Sequence, residues 1–375
     1  MPGLHLLPHT EAVDGVQRAA LDFSRGLAAA GEAPRVLALG GGDNLAAWER
    51  VATVEPSAPY LRCSPRHPGA MARTALAARR LGTDFEVVVA HRLDLLNAGA
   101  IFAARARRPL VFHAHNGPPP WLRWGDPWRV PGSRRVARLI VASEFMRGEW
   151  EAVVGKVPVE VVPYPIDLEH FDIATPPRRA AARAAVGIGE GEFAVTFVGR
   201  LEDSKGPHVL LDAARRLHED GLPIRVVLQG GPGLSVPTAV AASYRDRCVA
   251  AAGPCPVTWV PPGPDVRDVL DAADVCVVPS VWPEPSGLTV AEALATGTPL
   301  VASAVGGIPE QMPPKSAAAR LVPSDEPVAL AAALMALRED PPSEAECRAL
   351  RDHVEASRTL PTVTRHYRSA LDGGP

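Results

Sequence analysis

No stretch of this 375-residue chain approaches the roughly 18 consecutive apolar residues that a membrane-spanning helix requires. Spanning helices are therefore excluded. The opening MPGLHLLPHT has neither a basic region nor a long apolar run, so a secretory signal is not expected. Cysteine is scarce: Cys63, Cys248, Cys255, Cys276 and Cys347 are odd in number, widely spaced and form no C-x-x-C. That pattern excludes a disulfide framework and a cysteine zinc site, and fits free thiols in a reducing cytosol. No Lys/Arg block is interleaved with stacking aromatics and the net charge is −3, which argues against nucleic-acid binding.

What is present is ordinary for a globular protein, with 47% hydrophobic and 22% charged residues. The length favours two domains. The 40 prolines are scattered and mark element boundaries, with no low-complexity tract. Charge is uneven. Residues 1–160 carry 20 Lys/Arg against 15 Asp/Glu, and the remainder 19 against 27. Drift in surface composition accounts for this, as does a mildly basic half turned toward an anionic donor or membrane surface.

Short apolar runs alternate with helical patterns throughout, the signature of parallel sheets covered by helices. In the first half, strands are expected near Leu4–Leu7, Arg35–Leu39, Glu86–Ala90, Leu110–Phe112, Leu139–Ala142 and Glu160–Val162. Val16, Ala19, Ala20, Phe23 and Leu27 give the segment Val16–Ala30 one apolar helical face. Thr175–Ala185, rich in Pro, Arg and Ala, reads as a connector leading into a new helix, after which a second series begins. That series has strands at Phe193–Val198, Ile224–Gln229, Val257–Val260, Val275–Val278 and Leu300–Ala302. The fold class is α/β: two Rossmann-like, doubly wound domains, over 1–172 and 173–357, facing a cleft where ligands bind beyond the strand ends. A terminal amphipathic helix over about 358–372 is expected to return to the first domain.

Chemistry concentrates in VPSVWPEPSGLTVAEALATGTPLVASAVGGIPE, from Val278 to Glu310. A buried strand ends at Pro279–Ser280, a turn carries Glu284, and Gly287 opens a helix that carries Glu292. Free N–H groups at Gly287, Leu288 and Thr289 form an anion site at that helix start. Spacing alone also permits an ordinary βαβ unit with a surface Glu pair. A second segment, FVGRLEDSKG, places Arg200 and Lys205 around one strand-end turn. Two such cations suit a diphosphate, and equally a solvated surface pair.

The longer segment resembles the E-x(7)-E region of glycosyltransferase family 4, with E-P-F-G-L, E-A-x-A-x-G-x-P-V-V-A-S and a G-G-x-x-E turn. Glu284, Gly287, Leu288, Glu292, Ala293, Gly297, Pro299, Gly306, Gly307 and Glu310 match; Ser286 stands where the family usually has Phe. The shorter segment resembles the family's G-R-x(3–4)-K-G diphosphate loop. The resemblance implies a GT-B fold and a retaining transfer from a nucleoside diphosphate sugar, most simply a UDP-sugar. Arg200 and Lys205 would hold the diphosphate, Glu292 the ribose and Glu284 the transferred sugar. No D-x-D metal-binding pair occurs in the chain, so no metal and no cofactor beyond the nucleotide-sugar co-substrate is expected. A departure at Ser286, beside Glu284, points to an altered donor preference.

The first half resembles the family more loosely. EAVDGV keeps only Gly15 of the family's glycine pair, with Asp14 in the other place; Gly15 is assigned to the donor and Asp14 to the acceptor. His115, in VFHAHN, matches the family's strand-end histidine beside the reacting sugar, and His91 follows a neighbouring strand. Trp121, Trp124 and Trp128 crowd a Pro-rich loop and suit stacking on sugar or cyclitol rings, packing on their own domain, or a membrane interface. VVPYPIDLEHFD resembles the interdomain V-x-P-N-G-V-D-x-x-x-F, with Tyr164–Pro165 in place of Asn-Gly. No basic amphipathic helix stands out in the sequence, which favours a small soluble acceptor, such as a natural-product aminocyclitol or sugar, over a lipid-linked or polysaccharide one. An epimerase of the same fold is the other enzymatic reading.

Overall fold

The computed structural model describes residues 3–11, 15–126, 130–233, 236–263 and 265–373. The chain divides into two compact units, Met1–Pro165 with Leu360–Pro375, and Ile166–Thr359. Each is a parallel α/β sheet, as the alternating apolar runs indicate.

The first unit runs β1 (Gly3–Leu7), α1 (Gly15–Ala29), β2 (Arg35–Ala38), α2 (Leu45–Glu49), β3 (Thr53–Glu55), α3 (Pro68–Arg80), β4 (Val87–Ala90), α4 (Leu96–Ala106), β5 (Leu110–His113), β6 (Val136–Val141), α5 (Glu144–Val154) and β7 (Val159–Val161). The second runs α6 (Pro176–Ala185), β8 (Phe193–Val198), α7 (Pro207–Glu219), β9 (Ile224–Gln229), α8 (Thr238–Ala252), β10 (Val257–Val260), α9 (Arg267–Ala272), β11 (Val275–Val278), α10 (Leu288–Ala295), β12 (Leu300–Ser303), β13 (Ala319–Val322), α11 (Pro327–Glu339) and α12 (Glu344–Arg358). Helix α13 (Leu360–Asp372) belongs to the first unit.

Strand order is β3-β2-β1-β4-β5-β6-β7 in one sheet and β10-β9-β8-β11-β12-β13 in the other. Each order reverses once, between β1 and β4 and between β8 and β11. Connections on the two sides of that reversal leave in opposite directions and open a crevice at the carboxyl ends of the strands. The central strands β4 and β11 are buried along their whole length, which is why they read as unbroken VVVA and VCVV.

Two sequence expectations need correction. Thr175–Ala185 is itself helical: Thr175 caps α6 by accepting from the Arg178 amide, and Arg178, Arg179 and Arg183 reach Asp271 and Asp274. Its arginines are anchors, so the segment is a packed element of the second unit. Helix α3 is also a basic amphipathic helix of the kind the sequence did not reveal, so the lack of one no longer speaks for a soluble over a lipid-linked acceptor. Its buried side is only Ala70, Thr74 and Ala78, too small to register as an apolar stripe.

Helix α13 docks on α1, where Tyr367 packs on Phe23 with ring centres 4.3 Å apart and Arg368 pairs with Glu32 at 2.5 Å. Gly26 makes the approach possible, because a Cβ there would lie 1.9 Å from Thr364 Oγ1. Among the described residues, no helix is long and apolar enough to cross a membrane.

Candidate functional site

In the second unit, the β8 and β11 ends are brought together by backbone. After β8 the chain turns at Arg200–Lys205 and closes on Gly206, whose φ of +67° is left-handed. A Cβ on Gly206 would lie 2.0 Å from Pro279 O, so the turn rests directly on the end of β11. The Val281 and Trp282 amides then donate to Ser204 O at 3.0 and 3.2 Å. Gly206→Ala is expected to cost at least about 2 kcal/mol of stability through its backbone strain and clash. Urea unfolding checks this, and an unchanged midpoint would contradict the close approach.

This junction delivers Lys205 to Glu284. Lys205 Nζ donates to both carboxylate oxygens at 2.7 Å, and Ser280 Oγ donates to Oε1 at 2.6 Å. Glu284 is buried, whereas the Lys205 side chain keeps a quarter of its surface exposed. The two residues are 79 apart in sequence, and their direct pairing was not anticipated. Gly306 (φ +58°) holds the loop from the other side, where a Cβ would meet the Glu284 backbone at 2.3 Å. Gly307 N donates to Glu284 O at 2.8 Å.

Gly287, at φ +80°, starts α10 without a side-chain cap, leaving the first amides of the helix uncapped by any side chain. Thr289 Oγ1 donates to Val198 O at 3.3 Å and ties this helix start to the end of β8. Leu288 lies half-buried between them. Glu292 is buried on α10, and burial with its nearby charge helps push the Cys276 thiol up to about 12. Arg200 lies more open, paired with Glu202 at 2.9 Å. Ser286 is fully buried, and its Oγ finds no hydrogen-bond partner among the described residues. The unit thus gathers a lysine–carboxylate pair, a second cation, an uncapped helix start and a buried glutamate at its topological switch point. The arrangement suits an extended anionic ligand with a hydroxyl-bearing end.

In the first unit the switch point is filled by imidazoles. His5 lies on β1, His91 follows β4, and His113 and His115 stand at and beyond the end of β5. All four are buried. His5 Nδ1 contacts His91 Nε2 at 3.0 Å, His91 Nδ1 contacts His115 Nε2 at 2.9 Å, and His115 Nδ1 meets Tyr164 Oη at 2.9 Å. Burial pushes His5 down to about 4 and His115 to about 3, and holds His91 and His113 well below the usual range. The rings are neutral at pH 7.

Among the described residues, His91, His113 and His115 are a trio whose ligand atoms fall within 4.8 Å of one another. Their orientation is that of hydrogen bonding. With ring centres 5.3 Å apart and planes 16° apart, the 2.9 Å contact of His91 and His115 lies along the line joining the rings. His113 and His115 stack at 4.1 Å. In-plane lone pairs of stacked or end-to-end rings do not converge on one ion. Both nitrogens of His115 are engaged, so the ring offers no spare nitrogen to a ligand in this arrangement.

The other assigned residues are dispersed. Gly15 opens α1, exposed, and Asp14 and Trp128 lie outside the described residues. Trp121 is 52% exposed, whereas Trp124 packs on Phe112 and Trp150 of its own unit. His5, Tyr164 and Tyr367, which surround the sequence-assigned histidines, were missed; their only signal is position on or beside neighbouring elements.

The family described as "Glycosyltransferase Family 4" matches residues 13–170, and "Glycosyl transferases group 1" matches 192–340. The chain belongs to glycosyltransferase family 4. Among curated relatives of this family member, a D-inositol 3-phosphate glycosyltransferase of Mycobacterium sp. strain KMS is 33% identical over 303 residues, 69% of this chain. The chain spans 65% of that relative's length. Among solved structures, Anabaena Alr3699/HepE in complex with UDP superposes with a TM-score of 0.83 at 20% identity, covering 100% of both chains. Its complex with UDP-glucose gives 0.82 at 19%, again over 100% of each. The fold is therefore GT-B.

Proposed function

We propose that this chain moves a glycosyl group from a uridine diphosphate sugar to a hydroxyl of a small polyol or sugar acceptor, retaining the anomeric configuration and without a metal. The carrying observation is the Lys205–Glu284 pair beside the uncapped start of α10. Breaking a sugar–phosphate bond leaves charge on the departing diphosphate. Lys205, Arg200 and the Gly287–Thr289 amides stabilise that charge as it develops. Lys205, engaged by the phosphate, loosens its hold on Glu284, and the carboxylate orients hydroxyls of the transferred sugar. Glu292 takes the ribose hydroxyls. The acceptor's proton passes to the leaving phosphate on the same face, so that no side chain has to act as nucleophile and Glu284 serves to orient the sugar. Of the first-unit residues assigned from the sequence, exposed Gly15 keeps a donor role and exposed Trp121 an acceptor role, whereas His91 and Trp124, engaged within their own unit, act by positioning.

The HepE complexes with UDP and UDP-glucose support the donor class, and the inositol phosphate relatives support a small cyclic polyol derivative as acceptor. A thermal-shift screen of UDP-sugars, followed by mass spectrometry with inositol phosphates, aminocyclitols and simple sugars, tests the reading. The expected result is donor-dependent stabilisation, an α-linked product from an α-linked donor, and undiminished turnover in a chelator. Conversion of the donor without any acceptor would reassign the chain to epimerisation, and loss of turnover in the chelator would refute the metal-free route.

A further inference from the structure

Helix α3 carries exposed Arg73, Arg79 and Arg80, with Arg62 and Arg66 exposed just before it. No Asp or Glu occurs in residues 56–83. Helix α4 packs beside α3 and ends in exposed Arg105, with Arg107 and Arg108 following. No Asp or Glu occurs in residues 95–125 either. Both helices run antiparallel to the strands they connect, so both finish at the amino-terminal edge of the sheet. Their terminal arginines therefore gather at one end of the α3 surface, opposite the edge where the histidines lie.

Two further observations separate this surface from ordinary solvated charge. None of these eight guanidinium groups makes an ion pair or side-chain hydrogen bond with another described residue, whereas Arg178, Arg183, Arg215 and Arg225 are all paired. Large apolar side chains also stand out among them: Leu76 is 47% exposed and Met71 36%. Ala72 and Ala75 continue the same outward face. The helix is about 20 Å long at 1.5 Å per residue, so uncompensated positive charge extends along a convex apolar ridge.

We infer that the outer face of α3, with the end of α4, docks on an anionic lipid surface. Charge complementarity and the apolar ridge fit a helix lying in the plane of an acidic headgroup layer, with arginines at phosphate level and Leu76 and Met71 below it. A single-stranded nucleic acid would want exposed aromatic rings, and of those flanking the two helices Phe85 and Phe102 are buried and Tyr60 is held by Glu55 at 2.7 Å.

Flotation of the full chain with phosphatidylglycerol vesicles and with phosphatidylcholine vesicles tests the inference, and needs no sugar donor. The wild type is expected to float with the anionic vesicles, progressively less as salt rises, and to stay behind with the neutral ones. Arg73→Glu/Arg79→Glu/Arg80→Glu is expected to lower the bound fraction at least tenfold. Leu76→Ser is expected to lower it less, at every salt concentration. Both variants should retain the wild-type melting temperature and donor-induced stabilisation, because α3 lies outside the assigned site. No flotation, equal flotation with neutral lipid, or an undiminished triple variant overturns the inference. Saturable binding to soluble polyglutamate without vesicle binding reassigns the surface to an acidic protein and also overturns it.

Discussion

Lys205→Ala is expected to lower kcat by about 10²–10³-fold, the range for removing one preorganised donor from a developing oxyanion. The ammonium is fixed before any ligand arrives by two 2.7 Å bonds to Glu284, on a turn that Gly206 seats against β11. Removing it also exposes a structural cost. Glu284 is left buried with Ser280 as its remaining side-chain donor, at about 1–3 kcal/mol of stability. The quarter-exposed lysine places the value toward the low end. Glu284→Gln removes the charge and keeps the shape, so it should lower turnover while leaving stability nearly intact. The double variant separates the two roles, because it restores stability relative to Lys205→Ala without restoring turnover. Urea midpoints and steady-state kinetics on the four proteins decide the matter. Near-wild-type kcat in both single variants would remove Lys205 and Glu284 from the chemistry, whatever their stabilities.

That pair also marks how far the sequence could be read. Both halves were visible as residues, because strand-end loops carry short fixed spacings and glycines at positions that demand left-handed backbone. Their contact was not, since which side chains meet across two neighbouring strand ends depends on how Gly206 seats its turn on the end of β11, and that leaves no local trace. The sheets themselves were legible because buried parallel strands are continuous apolar runs. The short edge strands β3 and β13 were not, as three or four residues at a sheet margin need no such run. Helix α3 escaped for a similar reason. A helix that buries only Ala70, Thr74 and Ala78 has no large apolar side chain on its inner face, and its exposed Leu76 blurs what period remains. Of the histidines, His91 and His115 were seen singly and His5 not at all. That they join end to end followed only from three adjacent strands presenting them at one sheet end.

The histidine chain gives the second large expectation, a steep loss of stability on acidification between about pH 6.5 and pH 4. The sign follows from proton counts. The folded state keeps His115 neutral to about pH 3 and His5 to about pH 4, whereas the unfolded chain protonates both near 6.5. Below 6.5 the unfolded state therefore binds more protons, and stability falls with pH until the folded values are reached. At pH 4.5 each of the two groups is about two pH units below its unfolded value, so together they remove on the order of 5 kcal/mol, comparable to the whole stability of a marginal domain. His91 and His113 act in the same direction. The side chains facing these rings are Phe23, Tyr164 and Tyr367, none of which supplies a negative charge near neutrality to hold an imidazolium. Hydrogen-exchange mass spectrometry from pH 7 to 4.5, corrected for intrinsic rates, should show β1, β4 and β5 losing protection before β8, β9 and β11. His115→Gln should flatten the dependence of melting temperature on pH, because an amide can keep one partner and does not titrate. A melting temperature flat from pH 7 to 4.5, or protection lost first in the second unit, would mean that the chain admits protons in the folded state and that its rings are not held neutral by burial.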